Sequence, residues 1–221
     1  MRQGGSEAQA KGTAVTENDV EVLAQETCHQ GYFRVDRYRL RHRLFDGGWS
    51  TPMVREVFER GHAVAVIPFD PVRNCLVLIE QFRAGAFAAA RTGWLPETVS
   101  PWLIEMVAGI IDEGETPEAV ARRETVEEAG CTVRELVPVC RVLASPGGSS
   151  ETVAIYCGRI DADEATAFAG IAHEHEDIRV LVVPPEEAFE WLDSGRIVNA
   201  VAVVALHWFR ANHARLRAAW G

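Results

Sequence analysis

Three glutamates, Glu124, Glu127 and Glu128, stand at i, i+3 and i+4 inside the run RETVEE. On a helix that spacing puts all three carboxylates on one face. Like charges so placed destabilise a bare helix, and a divalent cation would turn the repulsion into coordination. Hard carboxylate oxygens of this kind suit Mg²⁺ or Mn²⁺. The plainer alternative is a solvated acidic face, the usual state of such a helix. Here the face is not isolated. The apolar strand LIEMVAG leads into it through a glycine loop, which could bring backbone carbonyls to the same metals. Arg123 and Glu115 are free to pair and to hold that loop against the helix.

A second cluster of chemistry-bearing residues is His173-Glu174-His175-Glu176, in AHEHEDIRV. Two histidines at i, i+2 could share a strand face and bind a transition metal. The helical HExxH pattern is absent, however, and no cysteine stands nearby. A solvated acidic turn before the strand IRVLVV is the usual fate of such a cluster.

These residues need elements to hold them. Thr116 can cap a helix that runs to Ala129, with Pro117 at its first position and Gly130 as its stop. Upstream, HAVAVIPF and CLVLIEQF are β-branched and apolar, and read as central strands joined by the turn DPVRN. Residues 84–101 have weak periodicity and several breakers, and read as a long loop. Downstream, ELVPVCRVLAS and TVAIYCGRI are strands separated by the turn SPGGSSE, and IRVLVVP is another strand. PEEAFEWLDSG is a short helix, and residues 198–220 form a long apolar C-terminal helix. Near the N-terminus, Arg37, Arg39, Arg41 and Arg43 alternate with Tyr38, Leu40, His42 and Leu44. That period of two is a strand with one basic face. The turn FDGGW and the strand VREVFER would close it into a hairpin. Strands mixed with segregated helices indicate an α+β or layered α/β/α fold. The expected division is a disordered tail over 1–17, a small antiparallel β subdomain over 18–60 and a catalytic domain over 61–221.

Composition bounds the function. The chain has 221 residues, 48% of them hydrophobic, and a formal charge of −10. That charge argues against binding a nucleic acid polymer. A small anionic substrate would need something positive to receive it. No apolar run reaches membrane-spanning length. The N-terminal stretch MRQGGSEAQAKGTAVTEND lacks the apolar core of a secretory signal. Cys28, Cys75, Cys131, Cys140 and Cys157 are scattered, with no CxxC pair. They argue against a disulfide framework or a structural zinc site, and for a reducing, cytoplasmic setting.

Gly109, Glu115, Arg123, Glu124, Glu127, Glu128 and Gly130 together fit G-x5-E-x7-R-E-U-x-E-E-x-G-U, with U aliphatic. This is the Nudix box, and the chain resembles the Nudix family. Thr125 and Cys131 occupy the U positions, a packing variation at sites that carry no chemistry. RGHAVAVIPFDPVRNCLVLIEQFR, EMVAGIIDEGE, ASPGGSSE, HEHEDIRV and NAVAVVALHW are similar to the ADP-ribose-hydrolysing group of that family. So is the position of Pro146 after Gly130. The segment 84–101 is longer than the family's usual connection.

The resemblance implies a Nudix fold, a mixed sheet in an α/β/α sandwich, and Mg²⁺-dependent cleavage of ADP-ribose to AMP and ribose 5-phosphate. It implies Glu124, Glu128, Glu176 and the Ala108 carbonyl as metal ligands. Glu127 would bind metal directly or through water. Glu174 would be the catalytic base, and Arg123 and Glu115 would orient the box. Arg83 matches a phosphate-binding arginine. Tyr32, Phe33, Arg55, Glu56 and Arg60 match positions that build the adenine and ribose site, largely from the partner of a domain-swapped homodimer. Tyr32 and Phe33 are, as residue types on a strand, more often core. Ile110 belongs to the implied substrate site, and Ser145, Gly147 and Glu151 would close over the terminal ribose. Two other readings stand beside this one. Another nucleoside diphosphate sugar or nucleotide could be the substrate, or the domain could be a non-catalytic ADP-ribose sensor. The retained RETVEE and Glu174 oppose the sensor, which usually loses those acids.

Overall fold

The computed structural model describes residues 16–96, 99–171 and 176–221. The chain forms two compact units, Met1–Glu59 and Arg60–Gly221.

In the first unit, β1 (Val20–Gln30), β2 (Arg34–His42) and β3 (Met53–Glu59) form an antiparallel sheet in that order. The hairpin expected from sequence is β2–β3, with Arg37 opposite Glu56 and Tyr38 opposite Arg55. β1 was not expected, and the two-strand unit is corrected to three strands. Its sequence, VEVLAQETCHQ, is exposed along almost its whole length, and its large apolar side chains are confined to Val20, Val22 and Leu23. It is held by its backbone pairing along β2 and by Gln25 and Thr27 donating to Asp36, with ion pairs crossing the sheet beside them. Arg37 meets Glu26 at 3.1 Å and Glu56 at 2.8 Å, and Arg41 Nε donates to Glu21 at 2.6 Å. Arg37 is thus paired from both neighbouring strands and Arg41 from β1.

The second unit contains β4 (Ala63–Asp70), β5 (Cys75–Phe82), α1 (Ala84–Ala90), β6 (Trp102–Glu105), β7 (Val107–Ile110) and α2 (Pro117–Ala129). It continues with β8 (Glu135–Leu143), β9 (Thr152–Arg159), β10 (Phe168–Ala169), β11 (Ile178–Val183), α3 (Pro185–Asp193) and α4 (Ala200–Trp220). The strands form one mixed sheet of order β10-β11-β5-β4-β9-β8, with β6 on β5 and β7 on β4. β4 and β9 run parallel, and the other pairs are antiparallel. β4 lies at the centre and is buried throughout, which explains why it reads as a continuous apolar run. Its alternate residues serve two cores. Ile67 and Phe69 pack with Leu192 of α3 and with Leu206, Phe209 and Leu216 of α4. Val64 and Val66 pack with Val120, Ala121 and Ala129 of α2. The result is the α/β/α sandwich expected from sequence.

Two local expectations are corrected. LIEMVAG is not one strand. β4 and β5 pair only at Phe69↔Leu76 and Asp70↔Cys75 beside their turn. Beyond that point β6 pairs with β5 and β7 with β4, and Met106 lies between them. The segment 84–101 is not all loop, since Ala84–Ala90 is helical. Alanine is the strongest helix former, yet α1 buries none of its residues. It therefore has no apolar stripe for periodicity to reveal. Among the described residues, no helix is long and apolar enough to cross a membrane.

Candidate active site

The site is built on α2. Thr116 Oγ1 accepts the Ala119 N–H at 3.3 Å, Pro117 is the first helical residue, and Gly130 ends the helix at φ 75°. Thr125 and Cys131 are fully buried. Thr125 Oγ1 donates to the Ala121 carbonyl at 2.7 Å, so its polarity is satisfied within the helix.

The three helix carboxylates do not share one environment. Glu128 is buried against β7, where its Oε2 accepts the Ala108 N–H at 2.8 Å. Glu124 lies against Gly109, close enough that a Cβ on Gly109 would stand 1.8 Å from Glu124 Oε1. Only glycine permits that approach. Arg123 Nη1 donates to Glu124 at 2.8 Å and to Glu127 at 2.9 Å. Its Nε and Nη2 donate to Glu115 at 3.2 and 3.1 Å. Glu115 Oε2 in turn accepts the Asp112 N–H at 3.2 Å. Arg123 therefore clamps the loop to the helix.

The electrostatics follow from burial. Desolvation pushes the Glu128 pKa up to about 8, with repulsion from Glu124 and Glu176 adding to it and the Ala108 amide and Arg83 opposing it. Desolvation likewise pushes Glu124 up to about 7, opposed by Arg123 and reinforced by Glu127 and Glu176. Glu115 is held below its ordinary value, chiefly by its hydrogen bond from Arg123. Glu176, on the segment before β11, has its Oε2 fixed by the Ile171 N–H at 3.2 Å. Glu124, Glu127, Glu128 and Glu176 thus converge into one repulsive group. That group suits a hard divalent cation, because the charge on Glu124 and Glu128 is disfavoured until a cation arrives. Among the described residues, no three metal-ligating side chains already stand in ligand geometry. The oxygens of Glu124 and Glu127 turn instead to Arg123, and one oxygen of Glu128 turns to the Ala108 amide.

The other expected residues are distributed as follows. Arg83, just after β5, pairs with Glu105 at 2.7 Å and is close enough to act on Glu128. Ile110 is exposed at the end of β7. Ser145 and Gly147 lie in the turn after β8, where the Ser145 carbonyl accepts the N–H groups of Gly148 and Ser149 at 3.1 and 2.8 Å. Glu151 pairs with Arg60 at 3.3 Å. In the first unit, Tyr32 is 89% exposed, so it is not core. Its ring meets Phe33 edge-on at 4.8 Å, and Phe33 meets Phe58 at the same distance. Arg55 and Glu56 lie on β3, with Arg55 Nη1 donating to the Val54 carbonyl at 2.7 Å and Glu56 held by Arg37. Glu174, with His173 and His175, lies outside the described residues.

Sequence reasoning missed two buried polar groups beside this site. Glu105 holds Arg83, and Gln81, two residues before Arg83, has a buried Nε2 with no hydrogen-bond partner among the described residues. The available signal for Glu105 was a lone acid inside the apolar run LIEMVAG.

Comparison with known proteins agrees with this geometry. Residues 59–206 match the NUDIX domain family. The chain is 51% identical over 203 residues to an ADP-ribose pyrophosphatase of Escherichia coli (strain K12), covering 92% of this chain and 93% of that protein. It is 40% identical over 206 residues to an ADP-ribose pyrophosphatase of Haemophilus influenzae (strain ATCC 51907 / DSM 11121 / KW20 / Rd), covering 93% and 92%. A GDP-mannose pyrophosphatase of Escherichia coli O139:H28 (strain E24377A / ETEC) is 33% identical over 159 residues, 72% of this chain and 78% of that protein. In fold, the chain is similar to a solved structure described as an ADP compounds hydrolase, with a TM-score of 0.68 at 21% identity, over 90% of this chain and 97% of that one. The box, the sandwich that carries it and these matches agree, and the chain belongs to the Nudix family.

Proposed function

We propose that the protein hydrolyses the pyrophosphate bond of ADP-ribose, releasing AMP and ribose 5-phosphate, with Mg²⁺ as its metal and Mn²⁺ able to substitute. The observation that carries this reading is the convergence of Glu127 and Glu176 on the desolvated carboxylates Glu124 and Glu128. The long, near-complete match to ADP-ribose pyrophosphatases supports the choice of substrate.

Glu124, Glu128, Glu176 and the Ala108 carbonyl would hold the metal, with Glu127 beside them. A divalent ion there supplies the positive charge that a pyrophosphate needs and makes water more acidic. The protein's own residues do the rest. Arg123 and Glu115 fix the loop between β7 and α2 against the helix. Arg83 receives the pyrophosphate, and Glu174 takes a proton from the attacking water. Tyr32, Phe33, Arg55, Glu56 and Arg60, supplied largely by the partner of a domain-swapped homodimer, bind adenine and the proximal ribose, with an aromatic ring stacked on the base, and Ile110 belongs to the substrate site. Ser145, Gly147 and Glu151 close over the terminal ribose. The working protein is a homodimer formed through the first unit, whose sheet exposes Val20, Val22, Leu23 and Val54. The free thiols, among them the exposed Cys28 and Cys140, fit a reducing cytoplasm.

The second reading keeps the chemistry and changes the sugar, and the GDP-mannose pyrophosphatase match favours it. Comparing kcat/KM with Mg²⁺ across ADP-ribose, GDP-mannose, NADH, diadenosine polyphosphates and nucleoside triphosphates decides between them. ADP-ribose should lead. A clear preference for triphosphates would overturn the proposal.

A further inference from the structure

Glu105 is an ionisable side chain in an almost closed position, 4% exposed at the end of β6. Its two oxygens are committed in different directions. Oε2 accepts Nε and Nη2 of Arg83 at 2.8 and 2.7 Å. Oε1 accepts Nδ2 of Asn199 at 2.6 Å. Asn199 is itself fixed, because its Oδ1 accepts the Ala202 N–H at 3.1 Å and caps α4. One buried carboxylate therefore ties the guanidinium after β5 to the start of the longest helix.

The pair is lopsided. Glu105 is enclosed, whereas the Arg83 side chain is 42% exposed. A guanidinium carries five N–H donors in a rigid fork, and Glu105 engages only the Nε and Nη2 edge. Nη1 has no partner among the described residues. Arg83 also acts electrostatically on Glu128, so it stands near the carboxylate group. Isolated burial of a carboxylate is costly, and a salt bridge serving the core alone would enclose both partners. This one encloses the acid and leaves the arginine presented.

We propose that Glu105 is a positioning residue for pyrophosphate binding: it locks the Arg83 guanidinium, against the capped start of α4, so that the unpaired edge meets a phosphoryl group. This rests on the reading of Arg83 given under Proposed function. Glu105 touches no substrate and acts only through Arg83.

A double-mutant cycle tests it. kcat and KM for ADP-ribose at saturating Mg²⁺, and the Mg²⁺ needed for half-maximal rate, are measured for the parent, Arg83→Ala, Glu105→Gln and the double variant. Circular dichroism checks the fold of each. Glu105→Gln should lower kcat/KM about 10- to 100-fold, the scale of a misplaced positioning group, and leave the Mg²⁺ requirement unchanged. Added to Arg83→Ala, it should have almost no further effect, because the route through Arg83 is already gone. If Glu105→Gln does not fold, Glu105→Asp takes its place in the cycle. Its shorter arm cannot reach Arg83 and Asn199 together, and the same non-additivity is expected. Additive losses, or wild-type kinetics in the Glu105 variant while Arg83→Ala is impaired, overturn the proposal alone. Wild-type kinetics in Arg83→Ala overturn it together with the assigned role of Arg83.

Discussion

A Cβ placed on Gly109 would stand 1.8 Å from Oε1 and 2.0 Å from Cδ of Glu124. The glycine is thus a packing requirement of the carboxylate. Gly109→Ala should push Glu124 aside while β7 keeps its pairing to β4. A displacement of about 1 Å at a reacting centre can cost roughly 10²-fold in rate, and a loss of that order in kcat is expected, with weaker Mg²⁺ binding. Steady-state kinetics and a Mg²⁺ titration check it. Wild-type values for both would mean that the Glu124 carboxylate has no fixed task.

The buried acids also set a pH dependence for the metal-free protein. The Glu128 pKa, about 8, lies above its ordinary value of 4.5. The folded state therefore keeps a proton that the unfolded chain releases, and metal-free stability should fall as pH rises from about 4.5 to about 8. Glu128→Gln removes that loss. The metal-free variant should match the parent near pH 4.5 and exceed it at pH 8, by on the order of a few kcal/mol at ~1.4 kcal/mol per pKa unit. Its Mg²⁺ binding should be weaker. Thermal melts with and without Mg²⁺ across that range read the effect. An unaltered pH slope in the variant would show that Glu128 ionises freely in the native protein.

Glu174 and Glu176 are separated by one residue and are assigned different work. Glu174→Gln should keep the metals and lower kcat about 10²- to 10⁴-fold, the usual contribution of a general base, with little change in KM. Glu176→Gln should raise the Mg²⁺ needed for half-maximal rate. If Glu174→Gln stays within a few-fold of the parent, the base lies elsewhere, and Glu127 is the next acid to test.

How legible these parts were depends on how local their causes are. α2 could be read in full because its cap, its first proline, its stop and its carboxylate spacing all lie within one short segment. The two-layer core was legible because β4 and β5 are apolar on both faces. β1 was not, since its glutamates acquire meaning only opposite the arginines of β2. α1 was hidden because it packs no stripe. Glu105 was the hardest, for its partners are 22 and 94 residues away, and nothing local announces either.

The first unit should mediate assembly. Its sheet leaves Val20 and Val22 exposed on one face and Val54 exposed on the other, apolar surface that a homodimer would cover. Light scattering at micromolar concentration should give twice the chain mass, and Val22→Glu with Val54→Glu should shift it toward the monomer. A fully active monomer of the parent sequence would rule the dimer out.

The carboxylate group on α2 is expected to be a hydrolytic centre for a pyrophosphate. The most direct test is the hydrolysis of ADP-ribose with Mg²⁺, followed by ³¹P NMR, for the parent and for Glu124→Gln with Glu128→Gln. The parent should convert ADP-ribose to AMP and ribose 5-phosphate, and the double variant, still folded, should lose at least about 10³-fold in rate, within the acceleration that catalytic groups supply. No conversion by the parent, or a double variant as fast as the parent, would contradict the account.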